Sequence, residues 1–485
     1  MTAGRAVVIG SGLAGTTTAL LLAEGGWQVT ILERHAIPGG LMQRYRRGGS
    51  WFDTGFHLVT AGAPRSVLRG ILRRLGTLED HQFLDPDPAA QFVIRLHGQE
   101  RLCVPVGIGP ALAAAAARWP AQAEAIGRFT AVLRGRLAAN AWLAPLAEGA
   151  PVVEVPEDSS VSAVLQQCGV QGVAAETLGA ACAILAMRAD SCPFELFAAF
   201  AGSSFAGGWR LRGGGDGLMQ PLLARAQALG ARLQVGCGAA AIAHDGVNVQ
   251  AVIDAAGTSH AADLVISAIH PDEIVRLTGD SGFRPGFRAR LAEVPDGDGA
   301  FLFAAELAHA LPEFGRSHQL LRLADGSDCY LVAPDAWEGG GTPRLEAMLW
   351  MPVDEVAAWR PGRLGRREPA YQAWKQARAA ALLRELEVIY PGLEAAVVRS
   401  WAASPLTFRD YLGGRHGGAM GLSHDLGHLG SGRLSPRNKL RNLILTGQSL
   451  HHPGILGSLI GGCITAGAVL GRDLRSEVHA SMTPA

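Results

Sequence analysis

Lysine is nearly absent from this 485-residue chain: Lys375 and Lys439 are the only two, and arginine carries the rest of the positive charge. Charge as a whole is sparse, at 18% of residues, and balanced, with 43 basic and 43 acidic side chains. A neutral chain exerts no long-range pull on a polyanion, which excludes nucleic acid as the main partner. The seven cysteines (Cys103, Cys168, Cys182, Cys192, Cys237, Cys329 and Cys463) are scattered. None forms a Cys-x-x-Cys pair or sits at metal-ligand spacing with histidine, so neither a disulfide framework nor a metal centre is signalled, and a reducing compartment is expected. There is no His-Glu-x-x-His and no Gly-x-Ser-x-Gly, the marks of zinc proteases and serine hydrolases. No uninterrupted apolar run reaches the ~18 residues of a membrane span. The N-terminus opens into a strand without a basic, cleavable leader, so the expectation is a cytoplasmic protein. What is abundant is apolar side chain, 48% of the total, and glycine, 63 residues. At ~150 residues per domain the length suggests roughly two or three domains.

The glycines are informative at the start of the chain. Ala6-Val7-Val8-Ile9 reads as a buried parallel strand. Gly10-Ser11-Gly12-Leu13-Ala14-Gly15 follows at once, then a helix over Thr16 to Glu24, and a second strand from Gln28 to Leu32 that ends at Glu33. In such a unit Gly10 permits the tight turn, Gly12 lets a pyrophosphate approach the backbone, and Gly15 lets helix and strand pack closely. The helix N-terminus offers free N–H groups to the phosphates. Glu33 stands where a carboxylate accepts both ribose hydroxyls, which disfavours a 2′-phosphate. The unit predicts a dinucleotide, FAD or NAD before NADP.

After this unit come Pro38-Gly39-Gly40, Tyr45, Gly48-Gly49 and Phe52-Asp53-Thr54-Gly55-Phe56-His57. The segment resembles the phytoene desaturase and flavin-containing amine oxidase superfamily, and within it the retinol saturase and carotenoid isomerase branch. Two later stretches carry the same resemblance. Gly213-Gly214-Gly215-Asp216-Gly217 leads into an apolar helix and the strand Ala231–Val235, with further strands at Val249–Ile253 and Leu264–Ala268. Near the C-terminus, Pro405-Leu406-Thr407 and Gly417-Gly418-Ala419-Met420-Gly421 precede the strand Asn442–Thr446, then Gly447-Gln448 and a small-residue helix beginning at Ser458.

The resemblance implies FAD as cofactor and an α/β fold. A discontinuous Rossmann-like FAD-binding domain, of the glutathione-reductase or amine-oxidase type, would be built from residues 1–65, 201–290 and 411–485. An α+β substrate domain with a mixed sheet and a helical lid would come from 66–200, the helical part, and 291–410. It also implies the cofactor contacts Gly10, Ser11, Gly12, Ala14, Gly15, Glu33, Arg34, Gly39, Gly40, Gly55, Phe56, Ala239, Gly447, Gln448, Gly457, Ser458 and Leu459. In that family the last helix aims its N-terminal amides at the edge of the flavin that becomes anionic on reduction.

A flavin does the hard chemistry itself, and the protein orients substrate and handles protons. By resemblance His57 follows the Phe-Asp-x-Gly turn and faces the ring, as an acid/base or as a pocket-shaping group. His451 and His452 are the other candidate catalytic residues, with a loop-surface pair as their alternative. Arg409-Asp410 reads as a solvated surface pair, with an ion pair gating the site as the alternative, and Asp53 reads as a turn-holding carboxylate before a base. The lysine that stands near the flavin in many amine oxidases has no counterpart here, and the aromatic cage is replaced by Ser449-Leu450-His451-His452. The expected activity is therefore an FAD-dependent oxidoreductase acting on carbon–carbon bonds of a hydrophobic polyene, isoprenoid or natural-product intermediate. Desaturation is the first choice, before saturation or isomerisation. The alternatives are an amine or imine oxidase and a non-catalytic flavin-binding protein. Oxygen or a quinone would accept the electrons, and a substrate dissolved in lipid would require peripheral contact with the inner face of a membrane.

Overall fold

Strand Arg5–Ile9 is apolar on both faces, and all but its first residue are buried. It therefore needs cover on both sides, and it takes the centre of a parallel sheet. The structure, a computed structural model, describes residues 4–55, 58–96, 100–147, 149–279, 281–428 and 434–483. The central sheet has five parallel strands in the order Arg232–Gln234, Gln28–Leu32, Arg5–Ile9, Leu264–Ser267 and Leu443–Leu445. Its strands come from three distant parts of the chain. The carboxyl ends of all five point the same way, and in open α/β sheets that edge is where ligands bind.

The helix Leu13–Glu24 starts three residues earlier than its apolar spacing indicated and is buried from Leu13 to Ala23. It has no polar face because it is sandwiched between the sheet and a second helix, Gly454–Leu470. Glycine makes the approach possible: a Cβ on Gly462 would lie 2.7 Å from the Thr17 Cβ and 2.9 Å from the Ala14 carbonyl oxygen. Leu20, Leu21 and Leu22 are wholly buried, worth about 1.5–3 kcal/mol each in transfer free energy. A small antiparallel sheet (Ala239–His244, Val249–Asp254, Ser259–Ala261) covers the other face of the parallel sheet, with Ile242, Val249 and Val252 packed in one cluster with Val7, Ile9 and Val265.

A seven-stranded mixed sheet forms the second layer, in the order Val397–Ala403, Gly299–Leu307, Arg344–Met351, Asp328–Val332, His318–Arg322, Phe92–Leu96 and Glu100–Val104. The last two strands come from the stretch read as helical. Phe92, Val93, Ile94 and Leu96 are buried, and this strand runs parallel to His318–Arg322, a pairing no local pattern reveals. The two faces of the sheet differ in function. Phe301, Phe303 and Leu349 pack with Leu382 and Leu386 of the helix Pro369–Ile389. The opposite face, with Leu302 and Met348, packs with Phe408 and Ala419. No described helix is long and apolar enough to cross a membrane.

Candidate functional site

An open cleft of about 280 Å³ runs along the carboxyl ends of the parallel strands and under the mixed sheet. Its floor is the glycine turn. Gly10 has φ +97°, and a Cβ on Gly15 would lie 2.2 Å from the Gly10 carbonyl oxygen, so helix and turn meet at a distance only glycine allows. Above Gly12 there is open space, and Gly40 (φ +58°) approaches the Gly12 Cα so closely that its own Cβ would stand 3.2 Å away. The two glycine motifs, far apart in local structure, form one bare backbone cradle. This is the shape a pyrophosphate requires.

Glu33 closes the end of the second strand and is 5% exposed. One carboxylate oxygen accepts the Ser11 N–H (3.0 Å) and the Ser11 hydroxyl (2.6 Å), and the other accepts the His35 N–H (2.9 Å). The Ser11 Oγ in turn accepts the Gly39 N–H at 3.1 Å. Sequence reasoning assigned Glu33 to a ribose only. The structure shows that it also ties the first glycine motif to the second. Arg34 leans across the cleft mouth and donates to the Asp410 and Tyr411 carbonyls.

Most of the named cofactor positions line the cleft: Gly10, Ser11, Gly12, Ala14, Glu33, Arg34, Gly39, Gly40, Gly55, Ala239, Gly447, Gln448 and Ser458. Three do not. Gly15 packs on the Gly10 carbonyl, Gly457 packs on the His452 carbonyl (a Cβ there would lie 2.5 Å away), and Leu459 is wholly buried in the core. The last helix begins at Gly454, not Ser458, with Gly454 at φ +82° and Pro453 before it. Its open first-turn amides are therefore those of Gly454, Ile455 and Leu456, all of which border the cleft. Phe56 and His57 lie outside the described residues.

Neither His451 nor His452 is among the residues that line the cleft. The His451 ring packs on Gly461, and His452 lies against Phe200 with ring centroids 5.0 Å apart. Phe200 itself borders the cleft, presented by a π-helical widening over Phe197–Ala201. The apolar wall continues through Leu58, Ile184, Leu185, Met348 and Met420. Neither lysine is among the residues that line the cleft. Arg409 and Asp410 are a packed pair, not a solvated one. Asp410 is 12% exposed and also holds Arg367.

Asp53 is more than a turn residue. Its carboxylate is buried between Arg210 (2.8 Å) and Arg44 (3.1 Å), and its N–H donates to Glu346 Oε1 at 3.0 Å. Removing one partner of such a buried pair costs about 3–5 kcal/mol, so this cluster locks the Phe-Asp-x-Gly segment to the mixed sheet. Nothing local in the sequence joins positions 53, 210 and 346. A second polar group, Cys237, Asp254 and His260, sits beside the small sheet. There the Asp254 carboxylate accepts from the thiol (3.2 Å) and pairs with the imidazole (2.9 Å). That pairing holds Asp254 well below the usual carboxylate range.

Residues 13–309 match the family described as flavin containing amine oxidoreductase. The chain belongs to that family. Over its whole length this flavoprotein is similar to the all-trans-retinol 13,14-reductase of Homo sapiens, with 23% identity over an alignment covering 97% of this chain and 86% of that protein. A shorter match is to the hydroxyneurosporene desaturase of Rubrivivax gelatinosus, 41% identical over 83 residues, 17% of this chain and 15% of that one. Among solved structures, an oxidoreductase from Methanosarcina mazei superposes with a TM-score of 0.68 at 15% identity, covering 96% of this chain and 100% of the other. The glycine cradle and the buried Glu33 fit the FAD that the family uses. The chain is an FAD-dependent oxidoreductase.

Proposed function

We propose that this flavoprotein adds or removes hydrogen across a carbon–carbon bond of an apolar, polyene-type molecule. The observation that carries the reading is the composition of the wall facing the cleft: Leu58, Ile184, Leu185, Phe200, Met348 and Met420 offer an elongated ligand apolar contact. The full-length similarity to a protein named for reducing all-trans-retinol supports it, as do the shorter matches to a carotenoid desaturase and to a prolycopene isomerase of Daucus carota. When bound, the flavin supplies a two-electron acceptor and donor for hydride. The protein residues do the rest. The glycine cradle and Glu33 hold the dinucleotide, and the apolar wall excludes water and aligns the chain of the substrate. The first-turn amides of the helix Gly454–Leu470 favour negative charge that develops on the cleft floor. A substrate that partitions into lipid is collected by peripheral contact with a membrane surface.

The test is anaerobic. Polyenes and isoprenoid lipids are added to the FAD-loaded protein, and polyenes also to protein reduced with dithionite, while the visible flavin band is followed. Bleaching of the oxidised form establishes desaturation. Recovery of the band in the reduced form establishes saturation. A response to amines or cyclic imines alone overturns the proposal in favour of C–N oxidation.

A further inference from the structure

Resting on that reading, we propose that Glu346 is the proton-handling carboxyl of the reaction, exchanging a proton with substrate from its place in the cavity between Gly55 and Met348. The strand Arg344–Met351 alternates, so Glu346 and Met348 share the face turned toward the cleft. Met348 and Gly55 both border the cleft, and both also line a second, narrow cavity with Glu346, Asp53, Tyr45 and Tyr330. At about 10 Å³ this cavity holds about one water molecule, enough for a single-water relay.

The two oxygens of Glu346 are differently placed. Oε1 accepts the Asp53 N–H at 3.0 Å, which fixes the side chain. Oε2 is buried, makes no hydrogen bond, and stands 3.9 Å from the Arg210 guanidinium. A buried carboxyl oxygen left without a hydrogen bond is costly, and such cases call for an explanation in function. The groups around it are Asp53 and Tyr45 from the hairpin Arg44–Asp53, Arg210 from the strand Gly208–Leu211, Tyr330 from the adjacent strand, and Arg344 on its own strand, while Arg44 pairs with Asp53 and Glu338 with Arg344. Burial first, and the Asp53 charge second, push the Glu346 carboxyl up to about 7, against the pull of Arg210 and Arg344. A group poised there is efficient in either direction near neutral pH.

The balance is simple. Removing two hydrogens from adjacent carbons sends one out as hydride with its electron pair, for which the bound flavin is the acceptor. The other leaves as a proton. Its C–H pair becomes the new π bond, and the proton forms an O–H bond at Glu346 Oε2, directly or through the one water. Saturation is the same step reversed, with the carboxylic acid as donor.

The experiment compares wild type with Glu346→Gln and Glu346→Asp, each loaded with FAD. In Glu346→Gln the single-turnover rate with a responsive polyene is expected to fall about 100-fold or more, with the limb of the pH profile near neutrality lost. Flavin content and reduction by dithionite stay unchanged, and Glu346→Asp recovers part of the rate. Infrared difference spectra between pH 6 and pH 8, which need no substrate, should show a protonated carboxyl band in wild type that is missing in Glu346→Gln. A Glu346→Gln rate and pH profile equal to wild type overturns the proposal, and so does the absence of that band. A wild type inert to every polyene while the band is intact overturns the carbon–carbon reading instead.

Discussion

Replacing Glu33 by Gln keeps the shape of the side chain and removes its charge, and the flavin-free protein should already register the change. The carboxylate accepts three donors, the Ser11 N–H and O–H and the His35 N–H, at 2.6–3.0 Å and at 5% exposure. The Gln amide keeps one oxygen, so at least one of the two backbone N–H groups comes to face an NH2. A hydrogen bond to a charged group contributes ~1.5–3 kcal/mol, and a buried donor left unsatisfied costs ~1–3 kcal/mol. We expect Glu33→Gln to lose about 2–4 kcal/mol without any cofactor, read as a lower urea midpoint by tryptophan fluorescence. Added FAD should then stabilise the variant less than wild type, because ligand stabilisation follows the ratio of concentration to Kd. An unchanged urea midpoint in the flavin-free variant, with only FAD affinity reduced, refutes the argument that Glu33 ties the two glycine motifs together.

Two further substitutions probe the cradle and the buried cluster. Gly15→Ala places a methyl group 2.2 Å from the Gly10 carbonyl oxygen, so the helix must lift from the turn, and the purified protein should lose its yellow band. Retention of stoichiometric FAD in that variant refutes the packing role. His318 is wholly buried, with Tyr330 at 2.6 Å and the Gly208 carbonyl at 3.2 Å. Burial, with the Arg210 charge behind it, drives its imidazole down to about 3. A base whose folded value is depressed stabilises the fold above its unfolded value of ~6.5, and that stability is lost as pH falls toward 3. Relative to His318→Gln, wild type should therefore lose about 2 kcal/mol between pH 6.5 and pH 4.5, measured as urea midpoints. A difference that stays constant over that range shows that His318 does not titrate as a buried neutral group.

The floor of the dinucleotide cradle was legible in the chain because it is local, whereas the approach of Gly40 to Gly12 needed the fold. The strand Arg5–Ile9, the glycine turn, the helix and Glu33 follow within thirty residues. Their chemistry depends on backbone conformation and on one carboxylate at a fixed distance along the chain. The apolar strands at Leu264 and Leu443 were legible for the same reason, since a run covered on both faces leaves a short, uninterrupted signature. Tertiary structure decided what depends on partners distant in sequence. The helix Gly454–Leu470 begins four residues before the small-residue run suggested, because Pro453 and a left-handed Gly454 start it on the cleft floor. His451 and His452 looked like candidates because they stand in the right loop, yet that loop packs tightly on Gly457 and Gly461, and neither histidine is among the residues that line the cleft. Arg210 and Glu346 showed no motif at all. They meet Asp53 only because separate strands bring positions 53, 210 and 346 together in a buried site, where unlike charges must be paired and a carboxyl can hold its proton near neutrality.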